Sequence, residues 1–229
     1  MDKTSPRAVG RWIAVLFLMV LVCGVIAQGF ISDGLIDFKD AAGTAGNVLG
    51  NRGLFQSGFT IYMIEMICQI ATAALWYVLL RPVSKPIALV AAFVELGGSV
   101  VKIAARVLYL APLWVLDHGQ TLGGFSTEQL QSLSLVLWRV NDVGAATAVA
   151  MFGVSTFLNG YLIFKSKFMP WWLGVMSMVA GLGWLTFFYP TFGRSVFMPL
   201  AVYALASSVV MIAWLLFVGV KDEAVSSEA

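Results

Sequence analysis

Charge is scarce in this chain of 229 residues: Asp, Glu, Lys and Arg make up 11%, against 60% hydrophobic residues, and the mean hydropathy is +0.89. Soluble domains carry about 25% charged residues, so a water-soluble core does not account for this composition. Histidine occurs once, as His118, which removes bis-histidine haem ligation and a multi-histidine metal site within one chain. The two cysteines, Cys23 and Cys68, make no disulfide framework, and each falls inside an apolar run where a thiol is a small apolar filler. No HExxH, GxSxG or Walker pattern occurs, which removes the motif-based zinc protease, α/β-hydrolase and P-loop readings. No basic patch interleaved with aromatics points to nucleic acid. Neither a metal nor another cofactor is called for.

What fills the chain instead is six apolar runs, at residues 12–31, 59–80, 87–112, 135–164, 171–189 and 196–220. Each approaches or exceeds the roughly 20 helical residues that cross a bilayer core. The expected fold is all-α: a six-helix transmembrane bundle forming one integral membrane domain over residues 1–229. Lys3, Arg7 and Arg11 before the first run resemble the start of a signal peptide. The run continues to Ile31, however, and its loss would leave an odd number of spans, so it is read as a retained helix. Cys23 is no lipoprotein cysteine, because Val22 occupies a position that requires a small residue.

Lys and Arg set the orientation. The N-terminus, the loops after the second and fourth runs and the C-terminus carry Lys3, Arg7, Arg11, Arg81, Lys85, Lys165, Lys167 and Lys221, which is 8 of the 14. The opposite loops carry only Lys39, Arg52 and Arg194. This bias predicts both termini in the cytoplasm and a multi-pass protein of the inner (cytoplasmic) membrane, in contact with membrane lipids. Asp40, the small residues after it and Gly50 predict a short surface helix in the first outer loop. Ser126 with Gln129 predicts a capping box that starts a helix before the fourth run.

The segment Gly160-Tyr-Leu-Ile-Phe-Lys-Ser-Lys-Phe-Met-Pro-Trp-Trp-Leu-Gly174 resembles the most recognisable stretch of a bacterial membrane family known as domain of unknown function 4386. The hairpin from Tyr77 to Leu89 and the loop from Asp40 to Leu49 resemble two further parts of it, so the likeness runs over roughly the whole chain. It implies a multi-pass protein and supplies no chemistry. The chain departs from the family pattern at Glu95, where members often carry a basic residue.

Six ionisable residues fall inside the runs: Glu65, Glu95, Lys102, Arg106, Arg139 and Asp142. A charge at the centre of a span costs ~2.5–3.5 kcal/mol on insertion scales, so such groups face the protein interior and find partners. At 1.5 Å per residue, Glu65, Lys102, Arg106, Arg139 and Asp142 fall in the outer third of their spans, with Glu95 deeper. Glu95, Lys102 and Arg106 share one helix face with Ser99 and Tyr109, and Glu65 and Gln69 share another. Arg139 and Asp142 are three apart and can pair. With no cation at its depth, Glu95 is expected to be protonated and to hydrogen-bond Gln69 or Thr72.

The expected site is an outward-facing polar cavity that binds, or transports, a small polar or anionic solute. Its residues are Glu65, Gln69, Glu95, Ser99, Lys102, Arg106, Tyr109, Arg139 and Asp142. A second reading takes the balanced charges as structural salt bridges in a membrane scaffold that binds a protein partner or forms a homo-oligomer. The small-residue pairs Ala146 with Ala150 and Ala204 with Ser208 would let helices approach closely there. A third reading is an intramembrane enzyme. Ser99 near Lys102 has the spacing of a serine–lysine pair, but no catalytic residue is assigned.

Overall fold

The computed structural model describes residues 5–221, and Lys3 lies outside them. Every regular element among the described residues is helical. In chain order these are α1 Pro6–Leu35, α2 Ala41–Gly50, α3 Arg52–Leu80, α4 Lys85–His118, α5 Thr127–Lys165, α6 Trp171–Phe188, α7 Pro190–Ser195 and α8 Phe197–Phe217. Helices α1, α3, α4, α5, α6 and α8 are each long and apolar enough to cross a membrane.

Local chemistry places the helix ends. Ser5 accepts from the backbone N–H of Ala8, and Pro6 takes the first helical position, where the missing N–H costs nothing. Asp40 caps α2 by accepting from Gly43 N at 2.8 Å, as its spacing predicts. Ser126 and Gln129 close the expected capping box: Ser126 N donates to Gln129 Oε1 at 2.8 Å and Gln129 N to Ser126 Oγ at 3.3 Å. That box explains why α5 starts well before its apolar run. Pro86 is the second residue of α4, whereas Pro170 is the cap residue of α6, so the two prolines open their helices differently.

Most of the final third of α1 is not an α-helix. Val25–Ser32 is π-helical, and the N–H of Asp33 donates to the carbonyl of Gln28 five residues back. Widening the turn in this way brings residues five apart over one another, and Gln28 Nε2 donates to Asp33 Oδ1 at 2.8 Å.

The helices divide between two compact units. The first comprises residues 1–19, 68–100 and 146–229. Its core gathers Ile13, Leu80, Leu162, Phe168, Leu173 and Leu215. Here α5 and α6 meet backbone to backbone. A Cβ on Gly174 would lie 2.6 Å from Gly160 O, and one on Gly181 would lie 2.7 Å from Gly153 O. Two glycines seven residues apart on each helix thus form a seam in which the backbones approach closely. Ala146 and Ala150 pack against Phe187 of α6 instead.

The second unit comprises residues 20–67 and 101–145. Its core is aromatic, built on Phe55, Tyr62, Tyr109 and Trp138 with Ile31 and Val48. Phe55 stacks on Tyr109 with ring centroids 4.3 Å apart, and Tyr62 meets Tyr109 edge-on at 5.6 Å. Arg52, at the start of α3, pairs with Asp117, near the end of α4, with Nη1 2.7 Å from Oδ2. Both side chains reach water, so the pair contributes little to stability.

Candidate functional site

The second unit carries a buried polar network that starts in the π segment. Tyr62 OH donates to Gln28 Oε1 at 2.7 Å, and Ser32 Oγ lies 3.0 Å from the same hydroxyl. Tyr109 OH is 3.5 Å from Ser32 Oγ and 3.5 Å from the carbonyl of Phe55. Trp138 Nε1 donates to the carbonyl of Tyr109 at 3.1 Å. Four helices therefore meet through neutral hydrogen bonds, each of which spares a polar group the cost of burial without a partner.

Two cations enter this network and are treated differently. Lys102 Nζ is 2.6 Å from Glu65 Oε1, and both side chains are nearly excluded from solvent. Gly24 of α1 faces Glu65, and a Cβ added there would lie 3.4 Å from Oε1, an ordinary contact distance. Arg106, one turn further along α4, is 3% exposed and forms no ion pair among the described residues. Its guanidinium lies 3.5 Å from the centre of the Tyr62 ring, and Nη1 donates to Asn141 Oδ1 at 3.0 Å. Its Nε is buried with no hydrogen-bond partner. A ring face and an amide oxygen solvate part of the charge but do not neutralise it.

A small pocket of about 30 Å³ adjoins this arginine. Gln28, Ser32, Asp33, Ile36 and Phe38 of the π segment and following loop line it, together with Arg106, Tyr109, Asn141 and Asp142. A position for one water needs about 10–15 Å³ on this measure, so the pocket holds a group of only a few heavy atoms. Its surface offers one guanidinium, two carboxylates, an amide pair and two hydroxyls.

Of the residues expected at the site, Glu65, Lys102, Arg106, Tyr109, Arg139 and Asp142 belong to the second unit, and Arg106, Tyr109 and Asp142 share the pocket. Arg139 is exposed, and its guanidinium lies over the Phe38 ring at 3.9 Å, a different partner from the one its spacing to Asp142 offered. Gln69, Glu95 and Ser99 belong to the first unit. There Gln69 Nε2 donates to Glu95 Oε1, a partner expected for that carboxyl. Ser99 Oγ donates to the carbonyl of Glu95 at 2.9 Å, and Thr72 Oγ1 to that of Cys68. Gln28, Ser32, Asp33, Tyr62 and Asn141 are absent from the charge-based reading. A polar residue near the end of an apolar run was the only signal for the first three, and Asn141 adjoins Asp142.

The fold and this network define an all-helical protein with six helices of membrane-crossing length and composition, which is the architecture of a multi-pass membrane protein. Within that class, the chain belongs to the family described as Domain of unknown function (DUF4386), whose model matches residues 12–219. An uncharacterised protein of Archaeoglobus fulgidus is 28% identical over 136 residues, which cover 55% of this chain and 65% of that relative. The chain thus spans just under two thirds of the length of the curated relative it matches. No solved structure matches it.

Proposed function

We propose that this multi-pass membrane protein binds a small polar solute bearing an anionic group, with Arg106 as the anion-holding residue. One observation carries the reading: a guanidinium buried to 3% exposure, without an ion pair among the described residues, faces a pocket with its Nε unsatisfied. A carboxylate or similar oxyanion complements the guanidinium in charge and in fork geometry. Ser32, Tyr109 and Asn141 supply neutral hydrogen bonds around it, while Asp33 and Asp142 favour a solute that also presents a hydrogen-bond donor. Binding is the minimal activity, and transport would add a second open state. Lys102 and Glu65 serve here as a structural pair. Their close contact also supports the alternative reading, in which all these charges fix helix packing in a membrane scaffold.

The test is thermal unfolding of purified protein with formate, acetate, nitrate or phosphate, using urea as a neutral control. A bound solute raises the midpoint with concentration. The expected result is a rise with one of the small oxyanions that is lost in R106K, which keeps the charge but not the planar fork. No response above that to chloride in the unmodified protein would favour the scaffold. The orientation inferred from the basic loops, with both termini in the cytoplasm of the inner membrane, is tested by reporter fusions. Those after Ser84 and Met169 should read as cytoplasmic, and those after Asn51 and Gly123 as external. An external signal at Ser84 would reverse the assignment.

A further inference from the structure

We propose that a groove at the start of α1 binds the phosphate of an anionic phospholipid headgroup, gripped by Arg7 and Arg11. The groove measures about 350 Å³ and is lined by Ser5, Arg7, Ala8, Arg11, Trp12 and Val15, all in the first unit. Arg7, Arg11 and Val15 are four residues apart in succession, so they share one face of the helix. Trp12, 60% exposed, sits beside them.

The order of side chains along this face is the order of groups in a phospholipid. Two guanidiniums come first, then an amphipathic indole, then the exposed apolar side chains Val15, Leu18 and Met19. From Arg11 to Met19 the helix rises about 12 Å, close to the depth of one leaflet's hydrocarbon. A soluble phosphate compound would have no use for the apolar continuation, which is why a lipid is the better fit. Indoles favour the headgroup level because one end of the ring is polar and the rest is not.

Arg7 is held in place by a separate part of the chain. Its Nη2 donates to the carbonyl of Val218 at 3.4 Å, just past the end of α8. Gly219 makes that possible: it adopts φ +78°, and a Cβ there would lie 3.1 Å from Arg7 Cγ. Arg11, by contrast, is exposed along the groove. Arg7 is thus anchored to the chain past α8, while Arg11 presents its side chain at the surface.

Charge complementarity extends beyond the groove. Segments 81–85, 165–170 and 218–221 of the same unit contribute Val83, Phe168, Met169 and Val220 to the core that includes Val9, and Val220 lies against Gly10. They contribute Arg81, Lys85, Lys165, Lys167 and Lys221 and no acidic residue. Anionic lipids concentrate at such a surface, and each Lys or Arg near it contributes measurably to the attraction.

The experiment uses the full chain in vesicles of phosphatidylglycerol or phosphatidylcholine with brominated acyl chains, which quench tryptophan fluorescence on contact. Subtracting a W12F variant isolates the signal from Trp12. The expected result is a preference for phosphatidylglycerol at Trp12 that weakens about fivefold in R11Q and largely survives in R11K. R194Q, which alters an arginine outside the groove, should leave it unchanged. Equal quenching by both lipids would overturn the proposal, as would an R11K as weak as R11Q. Displacement of the lipid by millimolar inorganic phosphate would overturn the assignment to a lipid.

Discussion

Replacing Gly174 with Ala tests how α5 and α6 are held together. The new Cβ would lie 2.5 Å from Phe164 N, 2.6 Å from Gly160 O and 2.9 Å from Phe164 Cα. All three are backbone atoms, so no rotamer change relieves the clash, and the helices must move apart. Ordinary van der Waals contact begins at about 3.4 Å, so the displacement approaches 1 Å. Overpacking of this kind costs about 1–3 kcal/mol, with the upper end expected where backbone meets backbone. Against that, Ala gains about 0.8–1 kcal/mol in helix propensity over Gly. The net expectation is a loss of about 2 kcal/mol. Gly46 provides the control: it lies in α2, and an added Cβ there meets nothing within 4 Å. Gly46→Ala should therefore stabilise by up to about 1 kcal/mol. The assay is reversible unfolding in mixed micelles, with both variants beside the parent. If Gly174→Ala were as stable as Gly46→Ala, the seam would not be a close contact and the reasoning would fail.

Lys102→Met should destabilise the protein by about 3–5 kcal/mol, because it leaves Glu65 buried without its cation, while Lys102→Met with Glu65→Gln should recover most of the loss; unfolding midpoints of the two variants measure this. Glu95→Gln should be close to neutral, since an amide still bonds Gln69, whereas Glu95→Leu strands the Gln69 amide and should cost about 1–3 kcal/mol; equal losses in the two would show that the carboxylate itself is required. Ser126→Ala should cost about 1 kcal/mol and speed hydrogen exchange in the first turn of α5, with no effect at Lys165 at its other end; unchanged exchange would mean that the capping box does not hold that turn.

The parts of the structure that follow from local rules were legible in the sequence. Six apolar runs became six helices of membrane-crossing length, because a run of that kind has few other ways to satisfy its backbone. Asp40 and the Ser126–Gln129 box act within three residues of themselves, so no distant part of the chain can override them easily. The seam of Gly153, Gly160, Gly174 and Gly181 came only with the structure, because a seven-residue interval within one helix does not name its partner. Ala146 with Ala150 carried the same kind of signal and met an aromatic ring instead.

The candidate site was half legible, and the division follows the range of the forces involved. Insertion cost marks every charged residue in an apolar run, so Arg106, Lys102, Glu65 and Asp142 were identified from the sequence alone. Packing decided their partners: among the described residues Lys102 met Glu65, while Arg106 met the Tyr62 ring and Asn141. Tyr62 and Asn141 escape a charge-based reading because neutral polar groups are cheap enough in a helix to occur without a role. Gln28 and Asp33 are five apart, a spacing that an α-helix does not stack, and only the π segment brings them together. The sequence by itself determined where helices run and which charged residues fall within them. Tertiary structure alone decided which cation would be neutralised, because that depends on the rotation of each helix against its neighbours, and rotation is set by the packing of side chains far apart in the chain.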